Sequence, residues 1–381
     1  MRILFLHSVP LRGSGSGTYV CNLAENLIEK HDLLVLYPGR ALNETFPVKN
    51  IAVDPVPVFT SHPIIKSKSI LDYSTSELID IISLYDNVLK KVLKEFSPDI
   101  IHVQHFGLWL CLPALRKMSE NVPVVVTGHG TGLYVIENDK RIYNLLKETT
   151  GYISKVIAVS DYVKNKVEKL FPDLNNKTKT ITGGVYVKKF EKAGVSKSRW
   201  REKYKLKDKV VLYVGRLIKE KGIQHMINIS SHFPNTTFVI TGSGDYKDVL
   251  FELSKEHENV LILPHLDDEI IDFFIYSDVL CVPSVWKEAL GLVILEAMAS
   301  KTAVVASNIG GIPSVVKHNE TGLLFEPGNE KDLTEKLSVI LNNPGLSKRL
   351  TEKAYESIKE NFTWKNISEQ TESVYYELTG K

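Results

Sequence analysis

Glu288 and Glu296 stand with seven residues between them in the string Pro283-Ser284-Val285-Trp286-Lys287-Glu288-Ala289-Leu290-Gly291-Leu292-Val293-Ile294-Leu295-Glu296-Ala297-Met298-Ala299. The apolar run Val279–Val282 ahead of it predicts a strand, and Gly291 predicts the start of a helix running through Ala299. The first-turn amides of a helix have no internal acceptor. Together with the helix dipole they attract an anion. Glu288 falls just before that terminus, and Glu296 lies roughly 7.5 Å along the helix at ~1.5 Å rise per residue. Two carboxylates so placed can flank a diphosphate, one reaching a sugar and the other a ribose, because a carboxylate accepts two hydrogen bonds from vicinal hydroxyls. Taken alone, either glutamate reads as an ordinary surface-helix acid. The string as a whole points to a ligand.

A second cluster of functional groups is Val214-Gly215-Arg216-Leu217-Ile218-Lys219-Glu220-Lys221-Gly222. Arg216 follows a predicted strand end and Lys221 precedes the next helix. Both therefore fall at the carboxyl edge of a parallel sheet, where such sheets bind ligands. Two cations there can neutralise a diphosphate as charge develops on it, and Lys219 is the weaker candidate. Gly242-Ser243-Gly244 reads as a tight turn at the same edge. Gly13-Ser14-Gly15-Ser16-Gly17 is a glycine-rich turn between the first predicted strand and helix. It is neither a dinucleotide fingerprint nor a phosphate-binding loop, since the third glycine would fall at Thr18 or Val20 and no Lys-Ser or Lys-Thr follows. His7 ends the first strand, where it faces either an acceptor or the core. His129, in Thr127-Gly128-His129-Gly130-Thr131-Gly132, follows a later one, and His102 and His105 read as structural. No histidine pair has metal-ligand spacing beside acids, and no Asp-x-Asp stands at a strand end.

The elements that must position these groups are legible as alternation. Short, consecutive apolar runs predict strands at Arg2–His7, Leu33–Tyr37, Asp99–Val103, Pro123–Thr127 and Lys155–Val159. Helical patterns lie between them at Thr18–Lys30, Thr75–Phe96, Trp109–Met118 and Asp161–Leu170. Such runs are typical of strands buried on both faces of a parallel sheet, and the alternation predicts right-handed, doubly wound α/β units. The pattern restarts at Lys209–Val214 and continues at Thr237–Thr241, Val260–Leu263, Asp278–Val282 and Ala303–Ala306. The 381 residues thus divide into two α/β domains, 1–184 and 185–363, with 364–381 a C-terminal amphipathic helix carrying Ile367, Val374, Tyr375 and Leu378. The lysine-rich stretch Lys177–Asp208 reads as a solvated connection. Thr45–Ser74, with Pro47, Pro55, Pro57 and Pro63, reads as an irregular or substrate-facing loop.

The whole pattern resembles the retaining family-four (group 1) glycosyltransferases. Glutamate, seven residues, glutamate and then Ala-Met-Ala is similar to that family's signature. Ala303-Val304-Val305-Ala306-Ser307, Gly310-Gly311-Ile312-Pro313-Ser314-Val315-Val316 and Glu320-Thr321-Gly322-Leu323-Leu324-Phe325-Glu326-Pro327-Gly328 follow in the family's order. The likeness covers most of the chain and is strongest from Val210 to Gly328. It departs from the family at Ala289-Leu290, where Pro-Phe is frequent, and at Gly183-Gly184-Val185-Tyr186, where Asn-Gly-Val-Asp is frequent. The first departure bears on the donor-sugar contact and the second lies at the linker.

The resemblance implies a GT-B architecture, two Rossmann-like doubly wound domains facing each other across a cleft. The first domain would bind the acceptor and the second a nucleotide-sugar, with the C-terminal helix packing back on the first. It also implies a role for each residue. Arg216, Lys221 and the amides of Leu290, Gly291, Leu292 and Val293 would hold the diphosphate. Glu288 with Ala289 would hold the sugar, and Glu296 the ribose. Gly15 or Gly17 would approach the donor, and His129 would touch a sugar hydroxyl. Transfer would retain configuration without a metal or other cofactor, from a UDP-sugar or GDP-mannose to a carbohydrate, lipid-linked or small-molecule acceptor. Two alternatives stay open, a sugar-nucleotide epimerase of the same fold and a non-catalytic sugar-binding protein. A glycogen-type phosphorylase does not suit a chain this short.

Composition sets outer limits. A net charge of +2 demands no nucleic acid. Cys21, Cys111 and Cys281 lie far apart, as buried thiols of a reducing compartment do. The apolar start is interrupted at Arg12, and no run reaches the ~18–20 residues of a membrane span. A cytoplasmic protein is expected. Peripheral contact at the inner membrane face is left open by Lys90, Lys91 and Lys94 beside Val88, Leu89, Val92 and Leu93, although Asp80, Asp86 and Glu95 on the same segment favour a solvated face.

Overall fold

The structure, a computed structural model, describes residues 1–11, 13–38, 46–51, 68–105, 111–115 and 122–381. Arg12, Pro55, Pro57, Pro63 and both ends of the helix expected at Trp109–Met118 lie outside the described residues; within that helix, Cys111–Leu115 is helical. The chain divides into two compact units, Met1–Gly183 with Trp364–Lys381, and Gly184–Thr363.

The first unit is built on parallel strands β1 (Arg2–His7), β2 (Asp32–Pro38), β3 (Val48–Ile51), β4 (Ile100–Gln104), β5 (Val124–Gly128), β6 (Ile153–Ala158) and β7 (Thr178–Thr180). Their order is β3-β2-β1-β4-β5-β6-β7. Ile3, Leu4, Phe5 and Leu6 are all at most 1% exposed, so β1 is covered on both faces and its apolar residues need not alternate. The strand order reverses between β1 and β4, and the loops leaving their carboxyl ends diverge there. His7 lies opposite Gln104 at that switch point.

The second unit repeats the plan with β8 (Lys209–Val214), β9 (Thr236–Thr241), β10 (Val260–Leu263), β11 (Val279–Val282), β12 (Ala303–Ser307) and β13 (Leu323–Phe325), all parallel in the order β10-β9-β8-β11-β12-β13. Its switch point lies between β8 and β11. Each unit is a doubly wound α/β sheet, as the alternation predicts.

Three features differ from the sequence reading. The first helix spans Gly15–Leu27, not Thr18–Lys30. Ser14 caps it, its hydroxyl accepting from the Gly17 amide at 3.1 Å, so the last two glycines of the turn belong to the helix. A Cβ on Gly17 would sit 2.1 Å from the Leu11 carbonyl oxygen, whereas one on Gly15 would meet nothing within 4 Å among the described residues. The closeness of Gly17 therefore serves packing within its own unit. Secondly, the stretch Lys177–Asp208 is more than a connection. It holds the edge strand β7, too short and polar to show an apolar run, and the helix Lys197–Tyr204. Trp200 of that helix is buried, edge-on to Phe273 at 5.2 Å. Finally, Val48–Ile51 pairs as an edge strand within a stretch read as irregular.

The C-terminal helix Trp364–Thr379 packs on the helix Gly15–Leu27. Trp364, Ile367, Thr371, Val374 and Tyr375 recur at helical spacing and are buried. Glu372 on the same face takes His31 at 2.8 Å and Lys30 at 3.0 Å. In the helix Thr75–Phe96, Lys90 pairs with Asp86 at 2.5 Å and Lys91 with Glu95 at 3.9 Å, while Leu78, Ile81, Tyr85, Leu89 and Val92 form the buried face. Among the described residues no helix is long and apolar enough to cross a membrane.

Candidate functional site

The second unit gathers Arg216, Lys221, Glu288 and Glu296 on loops and a helix leaving β8 and β11, the strands flanking its switch point. Backbone chemistry holds the two loops together. Past β8 the chain makes one tight turn, Lys219–Lys221, ending at Gly222 with φ +67°. A Cβ on Gly222 would lie 2.0 Å from the Pro283 carbonyl oxygen, so the turn can press on the loop after β11 only with glycine there. The Val285 and Trp286 amides both donate to the Glu220 carbonyl, at 3.0 and 3.2 Å.

This clamp brings Lys221 to Glu288. The lysine ammonium and the Ser284 hydroxyl both donate to Glu288 Oε1, the hydroxyl at 2.6 Å. Oε2 has no hydrogen-bond partner among the described residues. Burial works to raise the Glu288 carboxyl, but the Lys221 charge and the two hydrogen bonds outweigh it and hold the group below the ordinary carboxylate range. The Glu288 backbone is fixed as well, its carbonyl accepting from the Gly311 amide at 2.8 Å. Arg216 is exposed just past the end of β8, where its carbonyl accepts from the Tyr213 hydroxyl at 2.8 Å. Burial, and next the Glu288 charge, push that phenol well above its usual range.

The helix after β11 spans Leu292–Ala299, with Gly291 as its cap at φ +86°. The Ile294 amide donates to the Gly291 carbonyl at 2.9 Å, so the Leu292 and Val293 amides precede the first internal bond and are available to an anion. Leu290 is buried and Ala289 half-buried in the approach to this terminus. Glu296 is half-buried further along the helix, its carboxylate without a hydrogen-bond partner among the described residues. Burial pushes its carboxyl up to about 7, with the Lys189 charge pulling the other way.

In the first unit the carboxyl ends of β1, β4 and β5 carry rings rather than charges. His7 lies 5.5 Å from His105, and His105 lies 4.9 Å from His129, between ring centroids. Tyr19 sits edge-on to His129 at 4.9 Å and to Trp364 at 5.2 Å. Burial lowers His102 to about 3 and His105 to about 4. His129, half-buried, is lowered well below the usual histidine range by burial and then by the imidazoles around it. His102, His105 and His129 are therefore neutral near pH 7.

His102, read from sequence as structural, belongs to a hydrogen-bonded set with Thr127, Gln104 and Tyr375. The signal for this set was period two. His102 and Gln104 alternate in a strand buried on both faces, where polar groups must find partners on one side. His105 holds φ at +113°, and neither of its ring nitrogens has a hydrogen-bond partner among the described residues. Ser284 and Tyr213 also escaped the sequence reading, since neither carries a charge. Among the described residues no group of three or more His, Cys, Asp or Glu side chains is arranged to hold a metal ion.

Comparison with known proteins decides the family. Residues 13–189 match the model described as Glycosyltransferase Family 4, and residues 195–357 match the model for Glycosyl transferases group 1. An uncharacterized glycosyltransferase of Methanocaldococcus jannaschii is 30% identical over 301 residues, 73% of this chain and 75% of its own length. The chain belongs to the group 1 glycosyltransferases. This glycosyltransferase is also 25% identical to N-acetyl-alpha-D-glucosaminyl L-malate synthase of Bacillus anthracis over 376 residues, 96% of this chain and 94% of the other. Among solved structures, sucrose-phosphate synthase from Thermosynechococcus elongatus aligns over 100% of both chains with a TM-score of 0.83 at 22% identity. Anabaena HepE in complex with UDP aligns over 99% of this chain and 100% of its own, with a TM-score of 0.78 at 20% identity. The fold of the glycosyltransferase is GT-B.

Proposed function

We propose that the protein moves a sugar from a nucleotide-sugar donor to an acceptor hydroxyl, with retention at the anomeric carbon and without a metal ion. The observation that carries this reading is the Lys221–Glu288 pair fixed beside the open amides of Leu292 and Val293, with Arg216 and Glu296 on neighbouring elements of the same unit. An incoming diphosphate takes the helix amides, Arg216 and Lys221 as its donors, and the cations do the neutralising that a metal does elsewhere. Glu288 Oε2 accepts a hydroxyl of the donor sugar while Ser284 keeps Oε1 in place. Glu296 accepts from the ribose. His129 contacts a substrate hydroxyl through a neutral ring.

In the reaction, the acceptor oxygen bonds to the anomeric carbon on the face from which the phosphate oxygen leaves. The acceptor's proton passes to that phosphate oxygen, and the nucleoside diphosphate departs. The protein contributes position and electrostatics, and no covalent glycosyl-enzyme forms. A UDP-sugar is favoured, in keeping with HepE, which is described in complex with UDP and with UDP-glucose; GDP-mannose is the second candidate. The acceptor is a carbohydrate, a lipid-linked glycan or a small molecule. The relative named as an N-acetyl-glucosaminyl L-malate synthase supports the last of these.

Thermal unfolding with UDP, GDP, ADP or dTDP, each with and without EDTA, tests the donor site. One nucleotide, UDP first, should raise Tm in the presence of chelator. Ligand at 100 times its Kd stabilises by about 2.7 kcal/mol, which a melting curve resolves. No shift with any nucleotide at millimolar concentration overturns the proposal, and a shift abolished by EDTA overturns metal independence.

A further inference from the structure

We infer that the C-terminal helix sets the tautomer of His129 through a one-way hydrogen-bond relay, Tyr375–His102–Gln104–His129. The relay leaves His129 Nδ1 as a bare acceptor for a substrate hydroxyl.

All four side chains belong to the first unit, and three of them are buried. His102 Nδ1 lies 2.5 Å from the Tyr375 hydroxyl, and His102 Nε2 lies 2.6 Å from Thr127 Oγ1 and 3.3 Å from Gln104 Nε2. His129 Nε2 lies 3.2 Å from Gln104 Oε1. The amide gives the chain its direction. Gln104 presents its NH2 to His102 and its carbonyl oxygen to His129. An amide NH2 only donates, so His102 Nε2 must be the acceptor and its proton must sit on Nδ1, donated to Tyr375. An amide oxygen only accepts, so His129 must carry its proton on Nε2. Thr127 then donates to His102 Nε2 as well, in agreement with that tautomer.

A neutral imidazole with Nε2 protonated has one lone pair left, on Nδ1. Nothing among the described residues bonds that atom. Its neighbours in the fold are the rings of His105 and Tyr19, both uncharged near neutral pH, with His7 beyond. Gln104, His102 and Tyr375 are positioning residues; only His129 would meet the substrate.

The relay makes an unusual prediction for Tyr375→Phe, a change on a helix at the far end of the sequence. Without the phenolic acceptor, a buried His102 Nδ1–H loses its partner, so the proton moves to Nε2. That N–H now donates to Thr127 Oγ1 and opposes the Gln104 NH2, a donor–donor contact relieved when the amide turns to offer its oxygen. The turned amide donates its NH2 to His129 Nε2, and the His129 proton moves to Nδ1. Gln104→Leu cuts the relay instead, leaving His129 free to sample both tautomers.

The test uses the full chain labelled with nitrogen-15 in its histidine rings, read by long-range proton–nitrogen correlation, with His129→Gln identifying the resonance. Wild type should show a neutral His129 protonated on Nε2, Tyr375→Phe the reversed pattern, and Gln104→Leu averaged nitrogen shifts. A wild-type proton on Nδ1, or a Tyr375→Phe spectrum with the His129 pattern unchanged, overturns the relay. Circular dichroism establishes that each variant folds, and Gln104→Leu keeps the test open should Tyr375→Phe unfold. The kinetic consequence rests on the transferase reading proposed above. Tyr375→Phe should lower kcat by at least about tenfold, in the direction a wrong histidine tautomer costs other enzymes, while the nucleotide-induced Tm shift stays unchanged. Failure of the transferase reading would show as loss of the nucleotide response in wild type, leaving the tautomer pattern as an independent result.

Discussion

The two units share one construction, a parallel sheet with its functional groups at the carboxyl edge beside the switch point, yet they fill that edge with opposite chemistry. The second unit keeps its charges. Glu288 remains ionised because Lys221 is its counterion, and Ser284 adds a hydrogen bond to the carboxylate. The first unit removes charge. Burial holds His102 and His105 neutral, and their neighbours are rings and amides. One edge suits a polyanion whose charge grows during reaction, and the other suits neutral hydroxyls that must be aimed. The same topology can therefore serve two kinds of ligand by changing which residues follow the strands.

The largest expected effect breaks the charged edge. Lys221→Ala removes a cation from the proposed diphosphate site and also strands Glu288 as a half-buried carboxylate without its counterion. Transfer should fall by at least about 10²-fold, as expected when a transition-state contact is lost. Glu296→Ala should fall by a similar factor, expressed partly in the donor KM because the proposed ribose contact would form before reaction. Steady-state rates with the nucleotide-sugar identified by thermal shift check both. Rates within a few fold of wild type for either variant remove that residue from the site. Neither substitution should alter the His129 ring resonances, since both lie in the other unit.

A pair of glycines sharpens the comparison on the first unit's side. Gly17→Ala forces a methyl group onto the Leu11 carbonyl and should destabilise by about 1–3 kcal/mol, the usual cost of overpacking. Gly15→Ala meets open space at the start of the same helix and should be neutral or stabilising by up to about 1 kcal/mol. Urea denaturation of both variants is the measurement. Equal effects would mean that the glycine-rich turn is not divided between packing and open surface as the geometry has it.

The two edges should also differ in pH response. The Glu296 carboxyl stands near 7 against an ordinary 4.5, so the folded state binds its proton more tightly than the unfolded chain. The stability this contributes is complete below about 4.5 and is lost as pH rises through 7. Glu288 has the opposite sign. Held low, it stabilises above its ordinary range, and that contribution disappears as the solution is acidified. Across pH 5 to 7.5, wild type should lose Tm relative to Glu296→Gln. Nucleotide affinity should rise over the same interval, because ribose hydroxyls donate best to the ionised carboxylate. His102 and His105 titrate below this window, so neither should contribute a step. A Tm difference between wild type and Glu296→Gln that is flat with pH would contradict the placement of Glu296 in a desolvated setting.

Much of this was legible from sequence because buried parallel strands leave an unmistakable apolar run. The helices Thr75–Phe96 and Asp161–Leu170 stand at their expected limits. Edges were harder. Strand β7, Thr-Lys-Thr, carries no apolar residue, and its pairing with β6 depends on tertiary context alone. The first helix starts early because a serine cap overrode the glycines that suggested a loop. At the charged edge, the order of the motifs and the family they resemble named Lys221 and Glu288, since a lone charged residue at a strand end is most often merely solvated. Their pairing depends on Gly222 pressing against Pro283, a contact across more than sixty positions of chain that no local pattern records. The neutral edge was least legible. Gln104 and Tyr375 do chemistry only through partners, and a tyrosine in a C-terminal helix looks like any other core residue until the fold brings it to His102.

The smallest expected effect tests how finely position decides function. Lys219 and Lys221 lie in the same three-residue turn and carry the same charge. Lys221 reaches back over the loop after β11 to Glu288, while Lys219 is exposed and has no partner among the described residues. An exposed cation away from specific contacts changes stability by no more than about 0.5 kcal/mol when removed. Its field at a diphosphate is also screened over roughly 8–10 Å at physiological salt. Lys219→Ala should therefore alter kcat/KM by less than about twofold, the change shrinking further at high ionic strength. A larger loss that persists at high salt would place Lys219 in direct contact with the donor and make Lys221 chiefly the keeper of Glu288.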